Sequence, residues 1–242
     1  MSIQLENKKN NLFILLGAFF LTNAVVAEFI GAKIFSLEQT LGIPMSTLTL
    51  WGNPIQFNMT AGVILWPFVF IMTDIINEYY GNEGVRKLTY IAVVMLTYSF
   101  VMVRIAMGLK GAEFWTNSGS FMGIQNMTNA YNSVFGAGLM IIIGSLVAFL
   151  VGQLVDAFIF TKIKEKTEHK MIWLRATGST AVSQFIDSFV VLFIAFYLGG
   201  TFTFSQVMAI GLINYCYKFI MSIVLLPLLY LAHNIIDKYL AK

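Results

Sequence analysis

Apolar residues gather into six long runs, 12–35, 59–80, 87–109, 131–160, 177–198 and 206–232, separated by stretches rich in Gly, Asn, Thr and charge. A helix needs roughly 20 residues to cross about 30 Å of hydrocarbon, so each run is long enough for one crossing. None alternates polar and apolar residues as a membrane barrel strand does. The predicted fold is therefore all-α: one integral membrane domain, residues 1–242, of six transmembrane helices. The first run follows Lys8 and Lys9 as a signal peptide would, but it is too long for a signal core and carries Asn23 and Glu28, so it is read as a retained helix. In the fourth run Gly144, Ala148 and Gly152 recur at four-residue spacing and give one helix face a smooth surface for close packing.

Charge between the runs orients them. Of the fifteen Lys and Arg, eleven fall at the N-terminus (Lys8, Lys9), in the 81–87 turn (Arg86, Lys87), in the 161–176 loop (Lys162, Lys164, Lys166, Lys170, Arg175) and at the C-terminus (Lys238, Lys242). The alternate connections carry only Lys110. The positive-inside rule then places both termini in the cytoplasm. Composition agrees with a membrane class: 58% hydrophobic and 11% charged residues are too many and too few for a water-soluble core. The net charge of +3 follows from this loop bias and does not imply nucleic-acid binding. The lone Cys216 excludes an intramolecular disulfide and a cysteine-rich metal site.

Candidate chemistry lies where charge enters the runs, because a charged side chain near a helix centre costs roughly 2.5–3.5 kcal/mol on insertion scales. Asp187 and Lys218 fall near the middle of the fifth and sixth runs, and Glu28 and Arg104 in the outer halves of the first and third. Asp74 lies in the inner half of the second; Glu78 and Asp156 approach the cytoplasmic interface. Lys33 is expected to snorkel outward. Helical spacing puts Ser183 and Gln184 beside Asp187, and Asn214 and Tyr215 beside Lys218. These two clusters are candidates for one cavity, against the plainer reading of an ion pair that fixes helix register. Asp74, Asn77 and Glu78 share a face, with Arg86 or Lys87 available to Glu78 at the headgroups; Gln153 and Asp156 form a similar pair with Lys162 and Lys164 downstream.

Four ordered motifs give these positions a family resemblance. Trp66-Pro-Phe68-Val-Phe-Ile-Met-Thr-Asp74 with Glu78-Tyr-Tyr-Gly81, Gly152-Gln-Leu-Val-Asp156, Ser179-Thr180 through Asp187 to Ile194-Ala-Phe196, and Asn214-Tyr-Cys-Tyr-Lys218 resemble the second, fourth, fifth and sixth helices of the queuosine precursor transporter family, formerly a vitamin uptake transporter family. The resemblance implies a bacterial inner-membrane importer of 7-deazapurines, typically 7-cyano-7-deazaguanine or 7-aminomethyl-7-deazaguanine, used in tRNA modification. It also implies a six-helix fold similar to the substrate-binding subunits of energy-coupling-factor importers. A deazaguanine presents an imino N–H, an amine and a carbonyl along one side of a flat ring. Asp187 suits the two donors, Lys218, Gln184 or Asn214 the carbonyl, and Trp66, Phe68, Tyr215 or Tyr217 the ring face. Asn23, Glu28 and Arg104 complete the substrate candidates; Asp74, Glu78, Gln153 and Asp156 are the candidates for gating or proton coupling.

Two other classes compete. A subunit that binds another small vitamin or nucleobase would need a separate ATPase module, since no Walker motif occurs here. An intramembrane enzyme would need placed histidines, yet His169 falls in a loop and His233 at a run end, both read as solvated or at headgroup level. The expected partners are a small-molecule ligand and membrane lipid, with neither cofactor nor metal; a homodimer stays open.

Overall fold

The computed structural model describes the whole chain except residues 1, 2, 47, 48, 55, 120–122, 137, 169 and 242. His169 and Lys242 therefore lie outside the described residues. Nine helices account for most of the described chain: α1 (Ile3–Ile30), α2 (Leu37–Leu41), α3 (Trp66–Gly108), α4 (Glu113–Thr116), α5 (Met127–Phe135), α6 (Leu139–Lys166), α7 (Ile172–Leu192), α8 (Phe204–Val224) and α9 (Leu226–Ala241). Five helical segments among the described residues are long and apolar enough to cross a membrane.

One of those five is α3, 43 residues long and interrupted at Gly81, whose φ of 68° and ψ of −177° are open to glycine and closed to other residues. Contacts with α1 show what the interruption does. The Tyr80 hydroxyl donates to the Lys9 carbonyl at 2.7 Å, while Ala61 N–H donates to the Lys33 carbonyl at 2.8 Å, so residues 66–80 run antiparallel to α1. Gly17 lies against Leu88 and the Phe29 ring is 6.3 Å from that of Phe100, so residues 82–108 run parallel to it. The chain reverses at one residue. Farther on, α6 runs parallel to the first arm of α3, α7 returns along α6, and α8 returns along α7.

Several boundaries differ from the apolar runs. The 59–80 run opens in extended chain and a 3-10 turn (Ala61–Ile64), and its helix begins beside Pro67, where proline fits a first turn. The 131–160 run contains parts of both α5 and α6. The fifth run begins at Ile172, five residues early, and ends in a π-turn (Phe193–Tyr197). The sixth is α8 followed by α9, divided at Leu225 just ahead of Pro227. The small-residue face of α6 packs on α7: a Cβ added to Gly144 would stand 3.2 Å from the Val191 carbonyl oxygen, and Ala148 is buried.

Polarity is inverted relative to a soluble protein. Large apolar side chains such as Val94, Tyr98, Phe158, Phe185 and Ile220 face outward, whereas Thr73, Asn77, Gln153, Asp156, Ser179 and Ser183 are at most 1% exposed. Apolar solvent outside and hydrogen-bonding partners inside are what a lipid-embedded bundle requires. Strict alternation of direction gathers the loop bases at one end, called here the basic end.

The opposite end carries two short antiparallel ribbons, β1 (Ile34–Ser36) with β4 (Asn58–Thr60) and β2 (Thr49–Leu50) with β3 (Asn53–Pro54). Glu38 joins α2 to this cap, accepting from Phe57 N–H at 2.9 Å and from the Ser36 hydroxyl at 3.1 Å. The Phe57 N–H, which favours the ionised form, holds the Glu38 carboxyl below its ordinary pKa. The stabilisation is present above the unfolded-state pKa and lost as pH falls through the lower folded-state value. Amide exchange at Phe57 should therefore accelerate on acidification through that range, once corrected for intrinsic exchange. In Glu38→Gln, which cannot titrate, the corrected rate should stay flat; a parallel pH response would refute the role of this carboxylate.

Candidate functional site

Helix α7 is the spine of the polar interior. Arg175, Ser179, Thr180, Ser183, Gln184 and Ser188 recur at helical spacing, each no more than 3% exposed, and face into the bundle. Gln153 and Asp156 of α6 and Thr73, Asp74 and Asn77 of α3 are buried as well. Together they make a polar string through the bundle, with one ionic cluster near mid-span and another toward the basic end.

The mid-span cluster joins four helices. Lys218 Nζ of α8 donates to Asp187 Oδ2 of α7 at 2.5 Å, and the two side chains are 12% and 15% exposed. Glu28 of α1 lies within electrostatic reach of both, and near it is Ser145 of α6, whose hydroxyl donates to the Ile142 carbonyl at 3.1 Å. Gly152 backs onto Asp187, where an added Cβ would sit 3.5 Å from Asp187 Cβ. One turn away, the Gln184 Oε1 acceptor is buried without a hydrogen bond, as is the Ser188 hydroxyl. Ionic and neutral acceptors thus converge with one cation, a set suited to a small ligand bearing several N–H donors and a carbonyl. Tyr215 of α8 stands edge-on to the outward-facing Phe185 of α7, with centroids 5.6 Å apart.

The basic-end cluster is more densely connected. Glu78 Oε2 receives Arg175 Nη2 at 2.7 Å and Lys164 Nζ at 3.0 Å, and Lys164 also donates to the Glu78 carbonyl at 2.9 Å. The Arg175 guanidinium stands over the Phe160 ring, 5.4 Å from its centroid. The Ser183 hydroxyl donates to Asp156 Oδ1 at 2.9 Å, the Thr73 hydroxyl to Gln153 Oε1 at 2.6 Å, and Asn77 Nδ2 to the Ala157 carbonyl at 2.9 Å. Asp74 is 4% exposed, its Oδ1 has no hydrogen bond, and Asp156 and Arg175 both act on it electrostatically. It borders a crevice between α3, α7 and the α8/α9 junction, lined also by Pro67, Thr177, Thr180 and Leu225, whose free interior of ≈ 10 Å³ is the room of one water.

Several expectations change in this geometry. Glu78 pairs with Lys164 and Arg175 instead of Arg86 or Lys87, because the first arm of α3 lies along α6 and meets the start of α7. Arg175, assigned by sequence to a loop, is 2% exposed inside α7. His233 is 9% exposed rather than solvated: its Nδ1 is 3.0 Å from the Tyr79 hydroxyl, which donates to Asp237 at 2.6 Å. Lys162 bonds Glu165, not Asp156. Arg104 is exposed on the second arm of α3, with no ion pair among the described residues, and stands apart from the mid-span cluster. Trp66 packs on Phe149, itself next to Phe20, at the edge of the polar string. Asn23 donates to the carbonyl of Phe19 in its own helix; Phe68 and Asn214 are half-buried. Ser145 gives no signal in the sequence, being a lone serine in an apolar run until α1 packs beside it.

Inverted polarity, helices of membrane-crossing length and a polar string interrupted by two ionic clusters define a multi-pass membrane protein of the solute-transport class. The family model described as "Putative vitamin uptake transporter" matches residues 60–232, and the chain belongs to that family. The chain is 29% identical over 194 residues to a probable queuosine precursor transporter of Bacillus subtilis, covering 79% of this chain and 77% of that protein. It is 28% identical over 188 residues to the queuosine precursor transporter of Escherichia coli, covering 76% and 77%, and 29% identical over 174 residues to a probable one of Haemophilus influenzae, covering 72% and 67%. No solved structure matches the chain.

Proposed function

We propose that this chain imports queuosine precursors, 7-deazapurines such as 7-cyano-7-deazaguanine or 7-aminomethyl-7-deazaguanine, through the bacterial inner membrane. The observation that carries the reading is the likeness, over 72% to 79% of the chain, to three proteins named for that transport. The chain forms one membrane domain of six crossings, α3 supplying two of them, with the basic end and both termini in the cytoplasm. The ligand enters between the β-ribbon cap and the mid-span cluster. There Asp187 takes its N–H donors, Lys218, Gln184 or Asn214 its carbonyl, and Tyr215 or Trp66 the ring face. The basic-end cluster of Asp74, Glu78, Gln153 and Asp156 forms the inner closure. The deciding experiment is uptake of labelled 7-deazapurines, against guanine and vitamins, by liposomes containing this protein alone. Uptake of the deazapurines only is expected; uptake of a vitamin, or none without an ATPase module, refutes the proposal.

Orientation has its own test. In a Cys216→Ala background, a single cysteine introduced at Lys166 should resist an impermeant thiol reagent applied to intact cells and react once they are opened. Labelling from outside would invert the topology.

Asp74 borders the crevice at the α8/α9 junction and is acted on by Asp156, Arg175 and Glu78 of the basic-end cluster, which assigns it to the closing step. Asp74→Asn should leave equilibrium binding within about twofold of wild type while slowing net uptake tenfold or more, since each tenfold corresponds to about 1.4 kcal/mol at the step affected. Both quantities are to be measured on one purified variant. Binding lost in proportion to uptake would move Asp74 into the ligand site, and normal uptake would leave it structural.

A further inference from the structure

Charge at the mid-span cluster does not balance. Asp187 and Lys218 neutralise each other, whereas Glu28 has no ion pair among the described residues. A carboxylate in a membrane-spanning helix carries a large desolvation cost unless a proton or a cation accompanies it. The cations of the bundle do not supply one. Lys218 is held by Asp187, Arg175 and Lys164 by Glu78, and Arg104 and Lys33 are exposed. One further feature marks the place as a ligand position: the Gln184 side chain, 2% exposed, keeps a buried acceptor without a partner one turn from Asp187.

We infer that Glu28 determines specificity by receiving a cationic aminoalkyl substituent carried on the ligand's ring, so that the site favours an aminomethyl-bearing deazapurine over its neutral cyano counterpart. The ring edge then faces Asp187 and Gln184, and the substituent points toward α1. An ammonium donates charge-assisted hydrogen bonds to Glu28 and cancels the uncompensated charge; a nitrile has no donor and leaves the carboxylate unpaired. This assignment rests on the mid-span cluster being the ligand site.

The test is equilibrium binding of 7-aminomethyl-7-deazaguanine and 7-cyano-7-deazaguanine to the purified full chain. Wild type should prefer the aminomethyl compound by about tenfold or more, the scale of one charge-assisted contact. Glu28→Gln should abolish the preference by weakening that ligand alone, and Glu28→Asp, which keeps the charge, should retain part of it. The affinity ratio is the readout, so a variant giving less folded protein still reports it. An unchanged ratio in Glu28→Gln, equal weakening of both ligands, or a wild type that prefers the cyano compound overturns the assignment while leaving the proposed function standing. A wild type that binds neither compound overturns both.

Discussion

Lys218→Met should be among the most damaging single substitutions in the chain, and pairing it with Asp187→Asn should restore folding without restoring binding. Removing one partner of a buried ion pair leaves the other charge uncompensated, at a cost of about 3–5 kcal/mol, whereas removing both is often close to neutral. In Lys218→Met the problem is doubled, because Asp187 loses its partner and Glu28, on which Lys218 also acts, is left with Asp187 alone. Thermal unfolding in detergent should show a large loss in the single variant and recovery in Asp187→Asn/Lys218→Met. Deazapurine affinity of the double variant should remain at least about tenfold below wild type, the loss expected when a charge-assisted acceptor is removed. A double variant that folds and binds normally would make the pair a device of helix register alone.

Arg175→Met should be as severe, by a different route. Its guanidinium is a buried cation serving two acids: it bonds Glu78 directly and acts electrostatically on Asp74, which Asp156 in turn repels. Without it Lys164 remains for Glu78, but Asp74 loses the positive charge that acts on it against Asp156. A loss of about 3–5 kcal/mol is expected, seen as a collapse of the monodisperse fraction after extraction. Arg175→Lys should rescue only in part, because an ammonium cannot reproduce both the Glu78 contact and the cation–π contact of the guanidinium over the Phe160 ring. Addition of Glu78→Gln should recover little, since the deeper carboxylates remain. Near-normal yield of Arg175→Met would show that these acids hold no net charge that needs balancing.

The sequence made the apolar runs, the loop-charge asymmetry and the individual intramembrane charges legible, because each is a property of one segment in one solvent. Asp187 and Lys218 could be named as a candidate pair from depth alone, and α7 meeting α8 brings them together. Partner choice between distant helices was less accessible. Glu78 had plausible cations eight and nine residues away, yet it pairs with residues 86 and 97 positions downstream, which become neighbours only once α6 and α7 pack against α3. Arg175 looked like a loop base because five basic residues precede or include it within fifteen positions. Its spacing of four from Ser179 and eight from Ser183 was the available sign of the polar face to which it belongs. Arg104 shows the opposite case: a charge in an apolar run suggested the interior, but its helix presents it outward, where a long side chain can reach the headgroups.

The reversal at Gly81 sets a mechanical limit on how the molecule can work. A joint one residue long has no slack, so the two arms of α3 cannot slide past each other at the basic end as helices on a flexible tether could. The Tyr80 contact with Lys9 clasps α1 to the same corner. Any movement that opens the interior toward that end must therefore carry the corner along as a lever or part it from α6 and α7 along the seam between Glu78 and its two cations. Lengthening the joint by inserting residues after Gly81 would uncouple the arms while leaving every ionic contact chemically available.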